Sequence, residues 1–414
     1  MILNGDSPGA GHGPAPAPGS GSGILFAACM ALAVYAAVAM PFVGIRANRT
    51  ASGTGMPLPS VSAAWFSAIA LVLACAAAAR LAVRGASAPS RVRTALAAVP
   101  VACLVPVALA ALASVSARTA STLPDRARVS VGSGFWLLMA AAYGMSVAET
   151  REDAAQGTNV SAVTLAAAGF AAAALAAAGA FGRLSIAREL VSRREVFAGE
   201  SLRHFLYALG SVTAALAVGI PLGYMAARSR RWERPVFFVA NMAQAVPTLS
   251  LLGLLIVPLS ILGRRIPLFD ALGVRGVGWA PASIALFLYA LLPVAANAHA
   301  GFRMTEGPVL DAARGLGMDT RSRFLRIELP LALPAIIDGA RTALTQNMGN
   351  AVLAGLVGGG GLGSLLFLGL AQAAPDLILL AALPIVAMAL AADRLMHLAG
   401  RAARRSAGPE GAPT

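Results

Sequence analysis

The feature that most constrains this chain is a series of long apolar runs, each close to the roughly 20 residues that cross a bilayer as an α-helix. Ten such runs can be drawn along the sequence, at residues 24–45, 61–83, 94–116, 132–148, 158–182, 205–227, 235–262, 281–301, 333–357 and 376–398. Only 12% of the residues are charged, against about 25% in soluble domains, so a soluble fold is excluded. The sequence therefore predicts an all-α, polytopic integral membrane protein with about ten transmembrane helices.

The basic residues of this chain are all arginines, and lysine is absent from the sequence. A P-loop nucleotide site and a Schiff-base enzyme are excluded, because both need a lysine amine. We therefore expect no enzymatic activity and no bound cofactor, with any ATP and Mg²⁺ used by a separate chain. The few cysteines and histidines are too dispersed for a metal site. The arginines are scattered between apolar runs, which favours the flanks of membrane spans over nucleic-acid binding.

Composition divides the chain into a disordered tail, five leading transmembrane helices, an interfacial linker, a second transmembrane domain and a cytoplasmic tail. The expected boundaries are 1–23, 24–182, 183–204, 205–398 and 399–414. The first tail is rich in glycine, proline, alanine and serine. In the linker, Ile186, Leu190 and Phe197 fall near helical spacing, which predicts an amphipathic helix in the membrane interface.

The apolar runs of the second domain differ from the leading ones because they contain prolines and side-chain amides. We take five of these residues as pore or gate candidates: Gln244, Pro247, Asn297, Asn347 and Asn350. Broken helices and buried amides occur where a membrane protein lines a cavity. The same amides can instead join helices by hydrogen bonds, and the sequence leaves both interpretations open.

The polar segment 311–330 lies between two apolar runs but is not loop-like. Its first part continues a helical pattern that Gly315 and Gly317 interrupt. Asp319 then stands where a helix N-cap is expected, and Leu329-Pro330 is predicted to end the second helix. Two short helices with a glycine elbow, lying along the membrane, would present a docking surface to a cytoplasmic partner.

This segment resembles the EAA motif of bacterial ABC-importer permeases, in which a Glu-Ala-Ala triplet, a glycine, an isoleucine and a Leu-Pro pair follow fixed spacings. The matching residues here are Asp311, Ala312, Ala313, Gly317, Ile327, Leu329 and Pro330. The one departure is aspartate in place of glutamate at the first position. The resemblance implies that the loop 303–330 is cytoplasmic and binds an ATPase subunit.

The likeness extends over about 201–398 and is closest to the permeases for osmoprotectants such as glycine betaine, choline and proline betaine. It is carried by Gly219-Ile-Pro-Leu-Gly223, Gln244-Ala-Val-Pro247, Leu292-Pro293 with Asn297, and Gly358-Gly-Gly-Gly-Leu-Gly363. Leading spans before such a domain are found in one branch of the same family. The resemblance implies a C-terminal type I permease domain at 205–398.

A type I importer joins two permease subunits, the same or homologous, to two ATPase subunits and an extracytoplasmic solute-binding protein. The resemblance therefore implies those partners, and a multi-pass location in the bacterial cytoplasmic membrane with both termini inside. The distribution of arginines between alternate loops favours this orientation weakly. Two alternatives stay open: an ABC permease for an amino acid or other small solute, and an ion-coupled secondary transporter that uses an acid within a span, for which Asp338 is the candidate.

One further pattern bears on the identity of the solute. A quaternary ammonium group binds well to aromatic faces, which makes Trp279, Phe287 and Tyr289 candidates, although aromatic residues at span ends are commonly interface anchors.

Gly358, Gly360 and Gly363 spell a dinucleotide-binding pattern without the strand that such a site requires. We expect a flexible external re-entrant turn there, and a salt bridge between Asp338 and Arg341 on the ninth run.

Overall fold

The computed structural model describes residues 20–48, 53–85, 90–124, 127–152, 160–305 and 307–406. The chain forms two compact units, Met1–Arg188 and Glu189–Thr414. Most of the predicted N-terminal tail, and residues 407–414 of the C-terminal one, lie outside the described residues.

The first unit consists of helices and one small antiparallel sheet. Its elements are α1 Ser20–Val38, β1 Pro41–Arg46, β2 Thr54–Pro57, α2 Leu58–Val61, α3 Ala63–Gly85, α4 Ser90–Ser121, β3 Arg128–Val131, α5 Ser133–Glu152 and α6 Val160–Ala177, followed by α7 Ser185–Ser192, which crosses the boundary between the units. The strand order is β2-β1-β3. The sequence did not predict this sheet, and the first run was drawn too long, because α1 ends at Val38. Pro41 cannot continue a helix, and Phe42 and Val43 are fully buried on the strand that follows.

The core of the first unit contains a buried ion pair between α3 and α5. Arg80 donates a hydrogen bond to Glu149, and its guanidinium lies 4.3 Å from the ring centroid of Phe26 on α1. The fourth apolar run was predicted to end at residue 148, just before Glu149, yet α5 continues to Glu152. A buried charge is stable only with a partner, so this pair explains how two charged residues lie inside an apolar bundle.

Among the residues that the structure describes, helices are the only regular secondary structure of the second unit. Its elements after α7 are α8 Arg194–Arg228, α9 Arg230–Ala245, α10 Thr248–Arg265, α11 Pro267–Ala271, α12 Trp279–Arg303, α13 Gly307–Gly315, α14 Thr320–Arg323, a π-helical turn Phe324–Glu328, α15 Leu329–Asn350, a 3₁₀ segment Ala351–Val357, α16 Leu362–Ala371 and α17 Pro375–Ser406. The helices α8, α12 and α15 form its core, and small residues let their backbones approach. A Cβ atom at Gly223 would lie only 2.7 Å from the Ala295 carbonyl oxygen, which is the close packing that membrane helices favour.

Eight of the described helices are long and apolar enough to cross a membrane, or nine if the bent pair Thr320–Val357 and Leu362–Ala371 counts as one span. This confirms a polytopic helical membrane protein. Helix α5, which covers the fourth predicted run, is not among the eight. The seventh run, 235–262, proves to be two helices, α9 and α10. Val246 between them is extended, with φ −76° and ψ 125°, because a following proline disfavours helical backbone.

The linker predicted at 183–204 is also divided differently. Helix α7 ends at Ser192, the backbone breaks at Arg193, and α8 then runs for 35 residues through the expected boundary at 204. Phe197 therefore belongs to α8. Ile186 and Leu190 of the predicted amphipathic spacing lie on α7, but the spacing gave no sign that the next helix begins at Arg194, eleven residues before the apolar run.

Candidate functional site

The segment singled out by its motif begins with α13, which ends in a glycine elbow. Gly317 has φ +75°, its N–H donates to the Arg314 carbonyl, and the Met318 N–H donates to the Ala313 carbonyl at 3.1 Å. These two bonds form a Schellman motif, in which a left-handed residue satisfies the last carbonyls of a helix. No described atom outside its chain neighbours lies within 4 Å of where a Cβ would stand at Gly317. Glycine is therefore required here by backbone conformation rather than by space.

Beyond the elbow, Asp319 caps α14 as the sequence predicted. Its carboxylate accepts from the Arg321 N–H at 3.2 Å. The Ser322 hydroxyl also bonds to this carboxylate and holds the pKa of Asp319 below its usual range. The cap is therefore charged at neutral pH. It fixes the direction in which α14, the second arm of the segment, leaves the elbow at Gly317.

The second arm does not end at Leu329-Pro330, contrary to the sequence expectation. Helix α14 passes through the π-helical turn into α15 without interruption. The Leu329 N–H donates to the Phe324 carbonyl five residues back. Because Pro330 has no N–H to give, the wider π turn accommodates it without breaking the helix. The elbow at Gly317 is thus joined directly to a core helix.

The motif residues differ in exposure. Asp311 and Ala312 are exposed, Ala313 is buried, and Leu316 beside the elbow is 82% exposed. Asp311 bonds to Arg314 one turn away at 2.9 Å. Ile327 and Leu329 are half-buried, and Pro330 is exposed. An exposed leucine next to exposed charges suits a surface that a partner covers.

A fully buried carboxylate ties the second arm to α8. Glu328 accepts a hydrogen bond from Arg228, the last residue of α8, and another from Arg323 Nε at 3.0 Å. Both bonds are charge-assisted and so stronger than neutral ones. The sequence analysis missed this group. The available signal was an acid at the head of an apolar run, which needs a cationic partner if it is buried, but nothing in the sequence indicates which arginine.

Three aromatic rings lie beside this ion pair. Tyr224 of α8 contacts Phe302 of α12 and Phe324 of the π turn, each with ring centroids 5.0 Å apart. Phe302 and Phe324 stack at 5.9 Å. Aromatic contacts of this kind add about 0.5–1.5 kcal/mol each beyond burial. We call Glu328, Arg228, Arg323 and the three rings the arm anchor, because together they join the second arm to both α8 and α12.

Two of the pore or gate candidates meet at the junction between α9 and α10. Gln244 Nε2 donates to the Tyr289 carbonyl at 2.8 Å, and the Tyr289 hydroxyl donates to the Val246 carbonyl next to Pro247. Tyr289 was a solute-binding candidate because of its aromatic ring, but the contact it makes here is the hydrogen bond of its hydroxyl. The first bond satisfies a carbonyl that Pro293, four residues further on in α12, leaves without a helical N–H donor. The second satisfies the carbonyl at the break before Pro247.

The three asparagine candidates occupy different positions. Asn347 is fully buried and donates to Ser211 Oγ at 2.8 Å and to the Leu286 carbonyl at 2.9 Å. Asn297 donates to the Pro293 carbonyl of its own helix, and Asn350 is half-buried at the end of α15. The placement of Asn347 favours the helix-joining interpretation, because it links α15 to α8 and α12 and lines no surface.

The aromatic candidates do not form a cage. Trp279 is 47% exposed at the start of α12, whereas Phe287 packs against the core between α8 and α15. Phe287 and Tyr289 are two positions apart on one helix and so point in nearly opposite directions. Within the part of the chain that the structure describes, no ring contact joins any two of the three.

Comparison with known proteins decides the family. Residues 219–405 match the binding-protein-dependent transport system inner membrane component, and residues 22–187 match the N-terminal domain of ABC transporter permease YehY. The osmoprotectant import permease protein OsmW of Salmonella typhimurium is 34% identical over 197 residues, which are 48% of this chain and 86% of that protein. This chain belongs to the binding-protein-dependent transport permeases.

A second relative agrees. The glycine betaine/carnitine/choline transport system permease protein OpuCD of Bacillus subtilis is 38% identical over 205 residues, covering 49% of this chain and 82% of the relative. A solved structure of the MetNI methionine ABC transporter in inward-facing conformations covers 53% of this chain and 99% of its own at 18% identity, with a TM-score of 0.43. As a permease, the chain is a multi-pass subunit of the inner membrane and a translocation protein rather than an enzyme.

The glycine-rich turn of this permease is attached to α8. Gly358, Gly360 and Gly361 have φ of 73°, 81° and 79°. The Tyr207 hydroxyl donates to the Gly359 carbonyl at 2.5 Å, and the Gly361 N–H donates to the Glu200 carboxylate. The segment before these glycines is a 3₁₀ helix rather than a strand, so the dinucleotide pattern is accidental.

The expected salt bridge between Asp338 and Arg341 is not formed. Arg341 binds Asp393 of α17 through two hydrogen bonds of 2.6 and 3.1 Å, and Asp338 binds Arg404 at 3.1 Å. The pairing across helices is favoured because Asp393 meets both nitrogens of the guanidinium fork. The sequence identified both α15 residues but could not supply their partners on α17.

Proposed function

We propose that this chain is the transmembrane permease subunit of an ATP-driven importer for glycine betaine or a related osmoprotectant. The observation that carries the proposal is similarity over most of the length of relatives named for osmoprotectants, glycine betaine, carnitine and choline. ATP and Mg²⁺ bind the partner ATPase, and this chain binds no cofactor. The partners are two cytoplasmic ATPase subunits, a second permease, the same or homologous, and an extracytoplasmic binding protein.

The ATPase docks on the loop 303–330 through Asp311, Ala312, Ala313, Gly317, Ile327, Leu329 and Pro330. This assignment is supported by exposed Asp311 and Leu316 and by the rigid elbow at Gly317. With α5 counted as a tenth span beside the nine of the fold, it makes the loop and both termini cytoplasmic. Helix α15 has 22 residues and so rises about 33 Å, which carries the chain from the docking side to the glycine-rich turn on the outside.

The permease domain occupies 205–398 and contains the solute path, while the five helices of 24–182 lead into it and 183–204 links the two. Movement of the ATPase passes from the elbow into α15 without a break in the helix. The arm anchor passes the same movement to α8 and α12. The ion-coupled alternative would bind a proton or sodium ion at Asp338, which pairs with Arg404, and uptake that survives ionophores separates it from the ATP-driven mechanism.

The test is uptake by the purified permease, reconstituted with its ATPase and binding protein in proteoliposomes. We expect ATP-dependent uptake of labelled glycine betaine or choline that continues after ionophores collapse the proton and sodium gradients. A partner ATPase without its phosphate-binding lysine serves as the inactive control. Uptake of an amino acid but of neither osmoprotectant would overturn the substrate assignment, and uptake abolished by the ionophores alone would overturn the ATP-driven mechanism.

A further inference from the structure

The membrane-spanning part of α15 carries a polar stripe that the docking segment does not use. Asp338, Arg341, Thr342 and Thr345 follow the spacing i, i+3, i+4 and i+7, which places them on one face of the helix. With an axial rise of 1.5 Å per residue, the stripe is about 10 Å long and starts about 14 Å from the docking end of α15. Because Asp338 bonds to Arg404, which lies in the predicted cytoplasmic tail 399–414, the stripe starts at the cytoplasmic boundary of the membrane and extends inward from there.

This stripe forms one wall of a cavity. Asp393 and Arg404 of α17 form the opposite wall, and the cavity, which is open on one side, has a volume of about 650 Å³, within the usual range of about 300–1,000 Å³ for small-molecule sites. The four charged side chains retain 30–43% of their exposure. The Thr345 hydroxyl is buried at the wall and has no hydrogen-bond partner among the described residues.

Lipid is an unsuitable neighbour for this cavity. Charged side chains beside the hydrocarbon face a bundle interior or a water-filled space, because exposing them to hydrocarbon is costly. A second permease laid against the same face would have to fill a concavity of about 650 Å³, since protein interfaces are packed as closely as protein interiors. A small hydrated solute fits the space without that requirement.

The charges indicate which class of solute. Two carboxylates face two guanidinium groups, so the cavity is neutral as a whole but has strongly separated charges. The Arg341 guanidinium can hold a carboxylate through two parallel bonds, as it now holds Asp393. The Asp338 carboxylate, one turn away, offers the negative charge that a cation without N–H donors requires.

We propose that this cavity is a binding site for a zwitterionic solute on the transport path, with the solute carboxylate on Arg341 and its quaternary ammonium near Asp338. The proposal rests on the proposed function and narrows it, because it favours betaines over choline, which has no carboxylate. Binding exchanges the internal ion pairs for pairs with the solute. The site would therefore bind the solute weakly, which a site on a transport path requires because the solute must leave it again.

The experiment uses the full complex in lipid nanodiscs, with Cys29, Cys75 and Cys103 replaced by serine and a single cysteine introduced as Thr345→Cys. A trimethylammonium methanethiosulfonate reagent probes the cavity. We expect labelling, and we expect glycine betaine at ten times its dissociation constant to slow it about tenfold. Sucrose at equal osmolarity should not slow it, and tetramethylammonium or acetate alone should protect less. Ala402→Cys, exposed on the face of α17 opposite Asp393 and Arg404, is the matched control and should not be protected.

A second variant separates recognition from structure. The swap Arg341→Asp with Asp393→Arg keeps an ion pair between α15 and α17 but moves the positive charge to the other wall. We expect the half-protecting concentration of glycine betaine to rise about tenfold or more, as the loss of one charge-assisted contact implies. A purely structural pair would leave that concentration unchanged and would overturn the assignment of Arg341.

No labelling of Thr345→Cys would overturn the proposal, because the cavity would then be covered by lipid or by the second permease. Labelling that glycine betaine does not slow, or that sucrose slows equally, would overturn it as well. Uptake by the wild-type complex, measured separately, decides the proposed function. If the complex imports glycine betaine but the solute does not protect Thr345→Cys, the proposed function stands and the proposal for the cavity is overturned.

Discussion

Helix α8 is held near both of its ends, and the two attachments differ in kind. At the docking end, Arg228 binds the buried Glu328, and aromatic rings surround the pair. Toward the other end, Glu200 and Tyr207 bind the glycine-rich turn through neutral or partly exposed hydrogen bonds. The charged attachment lies where force from an ATPase would enter, and the weaker one where a binding protein would act. From this difference we expect the docking end of α8 to be held firmly and the other end to be the adjustable end, which can change position at a smaller cost in free energy.

The largest effect is expected from Glu328→Gln. The change keeps the size of the side chain but leaves Arg228 and Arg323 without their counter-charge, and breaking a buried ion pair costs about 3–5 kcal/mol. Because Arg228 is partly exposed, we expect the lower end of that range. Uptake and ATP hydrolysis stimulated by the loaded binding protein should both fall more than tenfold. Near-normal coupling in a stable, inserted variant would show that the arm anchor carries no force.

Gly317→Val should come next. A β-branched residue at φ +75° costs about 1–3 kcal/mol, which tilts the elbow without unfolding the protein. We expect normal insertion but a clear loss of stimulated ATP hydrolysis and uptake. Gly315→Val is the matched control, since a Cβ there is equally uncrowded and the backbone is helical. Equal activity of the two valine variants would remove the elbow from the mechanism.

Tyr207→Phe tests the adjustable end. The variant loses one neutral hydrogen bond to the Gly359 carbonyl, worth about 1 kcal/mol. We expect basal ATP hydrolysis and assembly to be unchanged, while stimulation by the binding protein changes by no more than about fivefold. A loss as large as that of Glu328→Gln would mean that the two attachments of α8 are equivalent.

The smallest effect is expected from Asp311→Ala, which removes one exposed contact at a partly solvated interface. Its only partner among the described residues is Arg314, one turn away on the surface. Assembly with the ATPase, measured by co-purification at low and high salt, should weaken slightly and mainly at low salt. Complete dissociation of the ATPase would show that the docking contact is concentrated in this carboxylate.

Sequence patterns predicted the local structure of segment 311–330 better than they predicted its connections to other helices. The positions of Gly317 and Asp319 follow from local rules for helix ends, which act over a few residues, and the structure has both as expected. Glu328 with Arg228, and Arg341 with Asp393, are separated by many residues, and no local rule pairs them. The sheet formed by β1, β2 and β3 was hidden for a similar reason, because its buried apolar residues continue the run of α1.

The most direct test of the central claim is a photo-crosslinker placed at Leu316, the most exposed apolar residue of the docking segment. A benzoylphenylalanine there should crosslink to the ATPase subunit in assembled complexes, and the yield should fall in the Gly317→Val background. The same crosslinker at Leu272, which is exposed in the loop before α12, is the control and should not reach the ATPase. Crosslinks from Leu316 to the extracytoplasmic binding protein, or from Leu272 to the ATPase, would contradict both the orientation and the docking role of 303–330.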